Sequence, residues 1–155
     1  MNDIIDGLAA LVGRDNVAAD PASRAEYAQD ESFVPRMTPW AIVRPGSAEE
    51  VQQVVAWANE TATPLVPVSS GGPHFHGDTV PSVAGAVVLD LRRLDRILRV
   101  DRRNRMAVIE PGVTYPQLQA ALAERGMRVA MPLWMYSTCT RRSGPNAPSR
   151  TSVRA

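Results

Sequence analysis

Residues 40–68 constrain the fold more than any other stretch of this chain. The apolar run Trp40 to Val43 stops at Arg44-Pro45-Gly46, the pattern of a short strand running into a turn. Ser47-Ala-Glu-Glu50 follows as a capping box: the serine hydroxyl takes an orphan N–H of a new helix and Glu50 reaches back. Val51, Val54, Val55 and Ala58 recur at i, i+3, i+4 and i+7, which marks one apolar helical face. Pro64-Leu-Val-Pro-Val68 is a second short strand. Strand, helix and strand joined by links this short form a βαβ unit, so the two strands should run parallel through a right-handed crossover.

The flanking segments supply the remaining elements. Ile4, Leu8 and Leu11 outline an opening helix, with Asn2 able to cap it and Gly13 suited to end it. Asp20-Pro21 reads as a cap and first helical position of a short helix to about Gln29. Residues 30–39 form a connector broken by Pro35 and Pro39. After a loop from Ser69 to Ala84, Gly85 to Leu89 is a buried strand. Ile97–Asp101 and Met106–Glu110 flank Arg102-Arg-Asn-Arg105 as a hairpin. Thr114 and Gln117 form a second capping box on a helix to Arg125, stopped by Gly126. Met127 to Leu133 is expected to be one more strand. The fold class is therefore α+β: a small parallel βαβ subdomain followed by the start of an antiparallel α/β subdomain.

Composition removes several classes of function. At 155 residues, 45% hydrophobic and 21% charged, the chain is of soluble, globular type. No apolar run approaches the ~20 residues of a membrane span, and Met1-Asn2-Asp3 carries acid where a secretory signal carries positive charge. Cys139 is the single cysteine, which excludes an internal disulfide framework and a multi-cysteine zinc site and favours a reducing cytoplasm. The net charge of +1 is a compound figure. Residues 1–133 hold 13 Arg against 16 Asp and Glu, whereas residues 134–155 hold 4 Arg and no acid.

The chemistry-bearing motif is Ser69-Ser70-Gly71-Gly72, placed straight after a parallel strand. Two hydroxyls and two residues without Cβ let backbone N–H groups meet an anion closely. Ligands of parallel sheets sit at the carboxyl ends of their strands. No Gly-Lys-Ser/Thr is present, which excludes a Walker loop. Pro73 and Pro81 forbid an early helix, so this is not a dinucleotide fingerprint with pyrophosphate capping a helix.

Here the chain resembles a known family. Pro39-Trp-Ala-Ile-Val-Arg-Pro45, Ser47-Ala-Glu-Glu-Val51, Pro67-Val-Ser-Ser-Gly-Gly72, Val88-Leu-Asp-Leu-Arg92, Ile97 to Asp101 and Ile109-Glu-Pro-Gly-Val-Thr-Tyr115, in that order, are similar to the FAD-binding domain of the vanillyl-alcohol oxidase/p-cresol methylhydroxylase flavoproteins. The resemblance covers about residues 20–133. It implies a parallel subdomain packed on an antiparallel one with FAD between them. By position it implies pyrophosphate contacts at Ser69, Ser70, Gly71 and Gly72, and a close pass to the cofactor at Pro111, Gly112 and Val113. Some relatives attach flavin through a histidine directly after Gly-Gly. Pro73 intervenes here, so His74, and less so His76, is a cofactor-loop residue out of that register. A metal site from His74, His76 and Asp78 is the weaker alternative, and no metal is expected.

Other clusters favour structural readings. The arginines from Arg92 to Arg105 are interleaved with Asp90, Asp95 and Asp101, and no aromatic accompanies them in the sequence, so a solvated hairpin is favoured over nucleic-acid binding. Trp40 and Trp57 read as packing residues, and Glu110 as a structural one. No catalytic residue is assigned.

Three divisions follow: a helical lead-in at 1–39, a partial FAD-binding domain at 40–133, and a basic irregular tail at 134–155. The tail has no helical or strand period and is expected to be out of frame, or the product of a truncated or damaged gene. A genuine basic tail for an anionic partner is the competing reading. In such an enzyme a substrate carbon loses hydride to flavin N5. The chain is thus expected to be the FAD-anchoring portion of an alcohol or hydroxy-acid oxidase or dehydrogenase, binding FAD weakly or not at all by itself and without turnover. Small organic substrates would belong only to a full-length enzyme, and neither nucleic acid nor membrane is an expected partner. The alternative is a non-enzymatic nucleotide-binding or interaction module using the basic tail.

Overall fold

A computed structural model describes residues 2–69, 74 and 77–129. The first helix, α1 (Asn2–Val12), ends where Gly13 takes a left-handed conformation at φ 84°. A single 3-10 turn (Arg14–Asn16) leads into a two-residue strand, β1 (Val17–Ala18). Helix α2 (Pro21–Glu26) starts as expected: the Asp20 side chain accepts from Ser23 N–H at 2.9 Å. It ends short of Gln29, because the Tyr27 N–H already turns back onto the Ala25 carbonyl.

The unit at the centre of the sequence forms as β2 (Ala41–Val43), α3 (Ala48–Glu60) and β3 (Leu65–Val68). Ser47 Oγ caps α3 through Glu50 N–H at 3.2 Å. Glu50 closes the cap one residue further out than the motif predicts, since its carboxylate accepts from Gly46 N–H at 2.7 Å. Strands β2 and β3 run parallel, but β4 (Val87–Asp90) lies between them, giving the sheet order β1-β2-β4-β3 with β1 antiparallel at one edge. Pro67 accounts for β3's place at the other edge: it has no N–H to give a second neighbour. Strand β4 takes the centre because all four of its residues are buried, the pattern of a strand covered on both faces.

Alternation along the strands splits the core in two. On one face Ala41, Val43, Val87 and Leu89 pack against Leu8 and Val12 of α1 and Val54 of α3. On the other, Ile42, Val68 and Val88 pack with Ala18 and Tyr27. Burial of these aliphatic side chains, at roughly 1.5–3 kcal/mol each, fixes the register, because a one-residue slip would exchange the two faces.

The hairpin is present as β5 (Ile97–Asp101) and β6 (Met106–Ile109), paired from Ile97↔Ile109 to Asp101↔Met106. Asp101 holds its turn by accepting from the backbone and side chain of Asn104. Helix α4 (Tyr115–Ala123) follows, with Gln117 Oε1 accepting from both the N–H and the hydroxyl of Thr114. The strand expected from Met127 to Leu133 does not form over its described part, 127–129. Met127 N–H bonds to the Leu122 carbonyl and Val129 N–H to Gln119 Oε1, so these donors are drawn to α4 instead of a neighbouring strand. Residues 130–133 and the tail lie outside the described residues. The architecture is α+β, as the sequence predicts.

Candidate functional site: the carboxyl end of the parallel sheet

Strands β2, β4 and β3 end side by side at Val43, Asp90 and Val68, and Leu91 N–H donates to the Val68 carbonyl at 2.8 Å. Ser69 is therefore exposed at the rim of this end, one residue beyond β3. Beside it the Asp90 side chain is fully buried. A carboxylate taken out of water must be paired. Asp90 accepts from Tyr27 Oη at 2.7 Å, Arg44 Nε at 3.2 Å, Arg92 N–H at 3.1 Å and Arg92 Nε at 2.9 Å. Burial alone would push its pKa up, but hydrogen bonds from Arg92 and Tyr27 outweigh it and hold the carboxyl below the usual range. Burial, with the Asp90 carboxylate, pushes the Tyr27 phenol up. Two guanidiniums share this one carboxylate, and the negative charge of Glu26 also acts on Arg92.

The turn leaving β4 carries the second expected segment. Leu94 N–H bonds to Leu91 O, and Gly112 N–H bonds to Leu94 O at 2.7 Å. A Cβ on Gly112 would stand 2.6 Å from Leu91 O and 2.7 Å from both Arg92 O and Leu94 O. Glycine is thus demanded at 112 by backbone approach. Val113 is buried and Pro111 exposed. Glu110 is structural: it accepts from the backbone N–H and both Nε and Nη2 of Arg96, and the Arg96 guanidinium holds its carboxyl below the usual range.

Of the glycine segment, Ser70, Gly71 and Gly72 lie outside the described residues, as does His76. His74 is half-buried, and its carbonyl accepts from Glu31 N–H at 2.9 Å. Gly77, at φ +75°, donates its N–H to Asp30 Oδ2 at 2.7 Å. Asp30 Oδ1 meanwhile accepts from Ser32 N–H at 2.9 Å and Ser32 Oγ at 2.5 Å. A Cβ on Gly77 would fall 2.2 Å from Val34 Cγ2. The connector at 30–39 is thus tied to His74 and Gly77 through Asp30 and Glu31, although Phe33 and Val34 within it stay exposed, and sequence reading saw only its prolines. The available signal was Asp30-x-Ser32, an Asx-turn pattern. Among the described residues no three His, Cys, Asp or Glu side chains group as metal ligands.

The arginine cluster is largely neutralised where it meets the sheet and hairpin: Arg92 pairs with Asp90, Arg93 with Glu50, Arg96 with Glu110 and Arg99 with Asp101. A separate concavity of about 670 Å³ lies between the hairpin and α4, floored by Met106, Leu118 and Leu122 and rimmed by Arg102, Arg105 and Arg128. None of the expected site residues lines it. Among the described residues no helix is long and apolar enough to cross a membrane.

Comparison with known proteins agrees with this fold. Residues 39–140 match the model of a family described as FAD binding domain, a span that runs seven residues past the boundary expected at 133. The chain is 40% identical over 121 residues to the 1'-carboxy-chondrochloren decarboxylase of Chondromyces crocatus, covering 78% of this chain and 22% of that protein. It is 30% identical over 156 residues to an uncharacterized FAD-linked oxidoreductase of Mycobacterium tuberculosis, covering 99% of this chain and 34% of that one. A crystal structure of p-cresol methylhydroxylase with substrate bound superposes with a TM-score of 0.73 at 30% identity, over 81% of this chain and 25% of that one. The chain thus spans about a quarter of the length of several relatives that it matches.

Proposed function

The chain belongs to the FAD binding domain family, and on that premise we propose that it anchors the FAD pyrophosphate within a flavin-dependent oxidoreductase acting on alcohols or hydroxy acids. The observation that carries this reading is the convergence at the carboxyl end of the sheet. Ser69 leaves β3 there, beside the turn on which Gly112 is seated. The residue types fit a diphosphate: an exposed hydroxyl at Ser69, a following Ser70-Gly71-Gly72 sequence whose glycines carry no Cβ, and the Arg44 and Arg92 guanidiniums at the same end of the sheet.

In this reading Ser69, Ser70, Gly71 and Gly72 bind the diphosphate, and His74 lies on the far side of the same segment. Pro111, Gly112 and Val113 form a wall whose shape is set by the 91–94 turn beneath it. Asp90 orients Arg44 and Arg92 and takes no proton at neutral pH. FAD, when bound, supplies a hydride acceptor, while this chain's own residues bind and orient it. We assign no catalytic acid or base to the 155 residues.

The test is a flavin-fluorescence titration with the chain beside its Gly71→Val/Gly72→Val variant. The expected result is saturable FAD binding weaker than about 10 μM, lost in the variant, with no flavin reduction on adding alcohols or hydroxy acids. Equal affinity in the variant overturns the pyrophosphate assignment. Substrate-dependent reduction by this chain alone overturns the view that it only anchors the cofactor.

A further inference from the structure

The lead-in before residue 39 lies outside the span matched by the family model, yet it is tied to the candidate site at two places. At one, Tyr27 is locked onto Asp90, with the Arg92 guanidinium 5.9 Å from its ring centre. At the other, Asp30, Glu31, Ser32 and Val34 meet His74 and Gly77, which flank the far end of the glycine segment. Met37 N–H donates to the Ala28 carbonyl at 2.9 Å, closing residues 28–37 into a loop that presents those four residues together.

The carboxylate of Asp30 does more than a local turn needs. An Asx turn uses a single oxygen, and Oδ1 fills that role toward Ser32. The second oxygen reaches Gly77 N–H, 47 residues along the chain. Two further contacts join the same pair of segments. Glu31 N–H bonds to the His74 carbonyl, and Val34 fills the space that a side chain at Gly77 would occupy.

We infer that Asp30 is a positioning residue for cofactor binding: by gripping Gly77, with Glu31 gripping His74, the lead-in clasps the exit of the glycine segment and so sets the chain's affinity for FAD. The inference rests on the FAD reading above. Asp30 touches no cofactor atom in this role. It acts through the backbone of Gly77.

The experiment measures FAD affinity and the thermal midpoint of the cofactor-free chain for Asp30→Ala, Asp30→Asn and the control Asp101→Ala, which opens a hairpin turn elsewhere. Asp30→Ala is expected to weaken FAD binding at least about tenfold, the scale of one lost charge-assisted hydrogen bond. Its melting point should fall no further than that of Asp101→Ala, whose FAD affinity stays at the parent value. Asp30→Asn keeps one accepting oxygen and should fall between Asp30→Ala and the parent. Parent-like affinity in Asp30→Ala overturns the positioning role. Absence of saturable FAD binding by the unsubstituted chain would instead overturn the reading that this chain anchors FAD by itself. The clasp itself is then judged by hydrogen exchange at the Gly77 amide, which must accelerate about tenfold in Asp30→Ala. No acceleration overturns it.

Discussion

Replacing Asp90 with alanine removes the one acceptor that Tyr27, Arg44 and Arg92 share, from a position with no exposed side-chain surface. Removing one partner of a buried ion pair costs about 3–5 kcal/mol when the other is stranded. Here the stranded partners can partly rehydrate, since the Arg44 and Arg92 side chains are 26% and 42% exposed. That lowers the expected cost to about 2–4 kcal/mol. For a domain of this size each kcal/mol shifts the melting point by roughly 2–4 °C, so Asp90→Ala should melt about 5–15 °C below the parent. Asp90→Asn retains an accepting oxygen but turns an NH2 group toward guanidinium, and should cost about 1–3 kcal/mol. Because Tyr27 and Asp90 touch, Asp90→Ala and Tyr27→Phe should be non-additive by more than about 0.5 kcal/mol. Circular dichroism melts, with urea unfolding to confirm an unchanged m-value, provide the measurement. An Asp90→Ala melting point within about 2 °C of the parent would show that the buried carboxylate does not hold this end of the sheet together.

Other substitutions and conditions have equally specific outcomes. Gly112→Ala drives a Cβ against three backbone carbonyl oxygens that cannot swing aside, and should cost about 2–3 kcal/mol, read as a lower urea midpoint. Ser47→Ala removes the cap on α3 and should cost about 1 kcal/mol with helical circular dichroism otherwise retained. Asp90, Glu110 and Asp101 have carboxyls held below their ordinary values. Their stabilisation is complete above the unfolded-state carboxyl values, near pH 4, and is lost as pH falls through the lower folded values. Thermal midpoints should therefore be level from pH 5 to 7 with respect to these groups and fall below about pH 4; a midpoint that rises on acidification would contradict this pairing.

Much of the fold was legible because its signals are local. The capping residues Asp20, Ser47 and Thr114, the heptad-like spacing of α3, and the paired apolar runs at 97–101 and 106–109 each depend on neighbours within a few positions. What escaped depends on distance along the chain. Strand β1 is two residues long, too short to alternate, and exists because β2 offers it an edge. The place of β4 between β2 and β3 follows from Pro67 and from β4's two-sided burial, and neither speaks until the strands are assembled. The strand expected at 127–133 misread an apolar run whose described donors serve α4. At the candidate site the sequence pointed to Ser69 and Gly112. It left Asp90 as one acid among interleaved arginines and Asp30 as part of a connector, because their partners lie 63 and 47 residues away.

Competition decides whether the chain grips FAD by its diphosphate. Flavin fluorescence is followed while ADP, which carries the diphosphate without the flavin, or riboflavin, which carries the flavin without the diphosphate, is added to the chain with FAD. Anchoring at Ser69 to Gly72 predicts that ADP displaces FAD and riboflavin does not. Displacement by riboflavin with no effect of ADP would place the grip on the ring and contradict it.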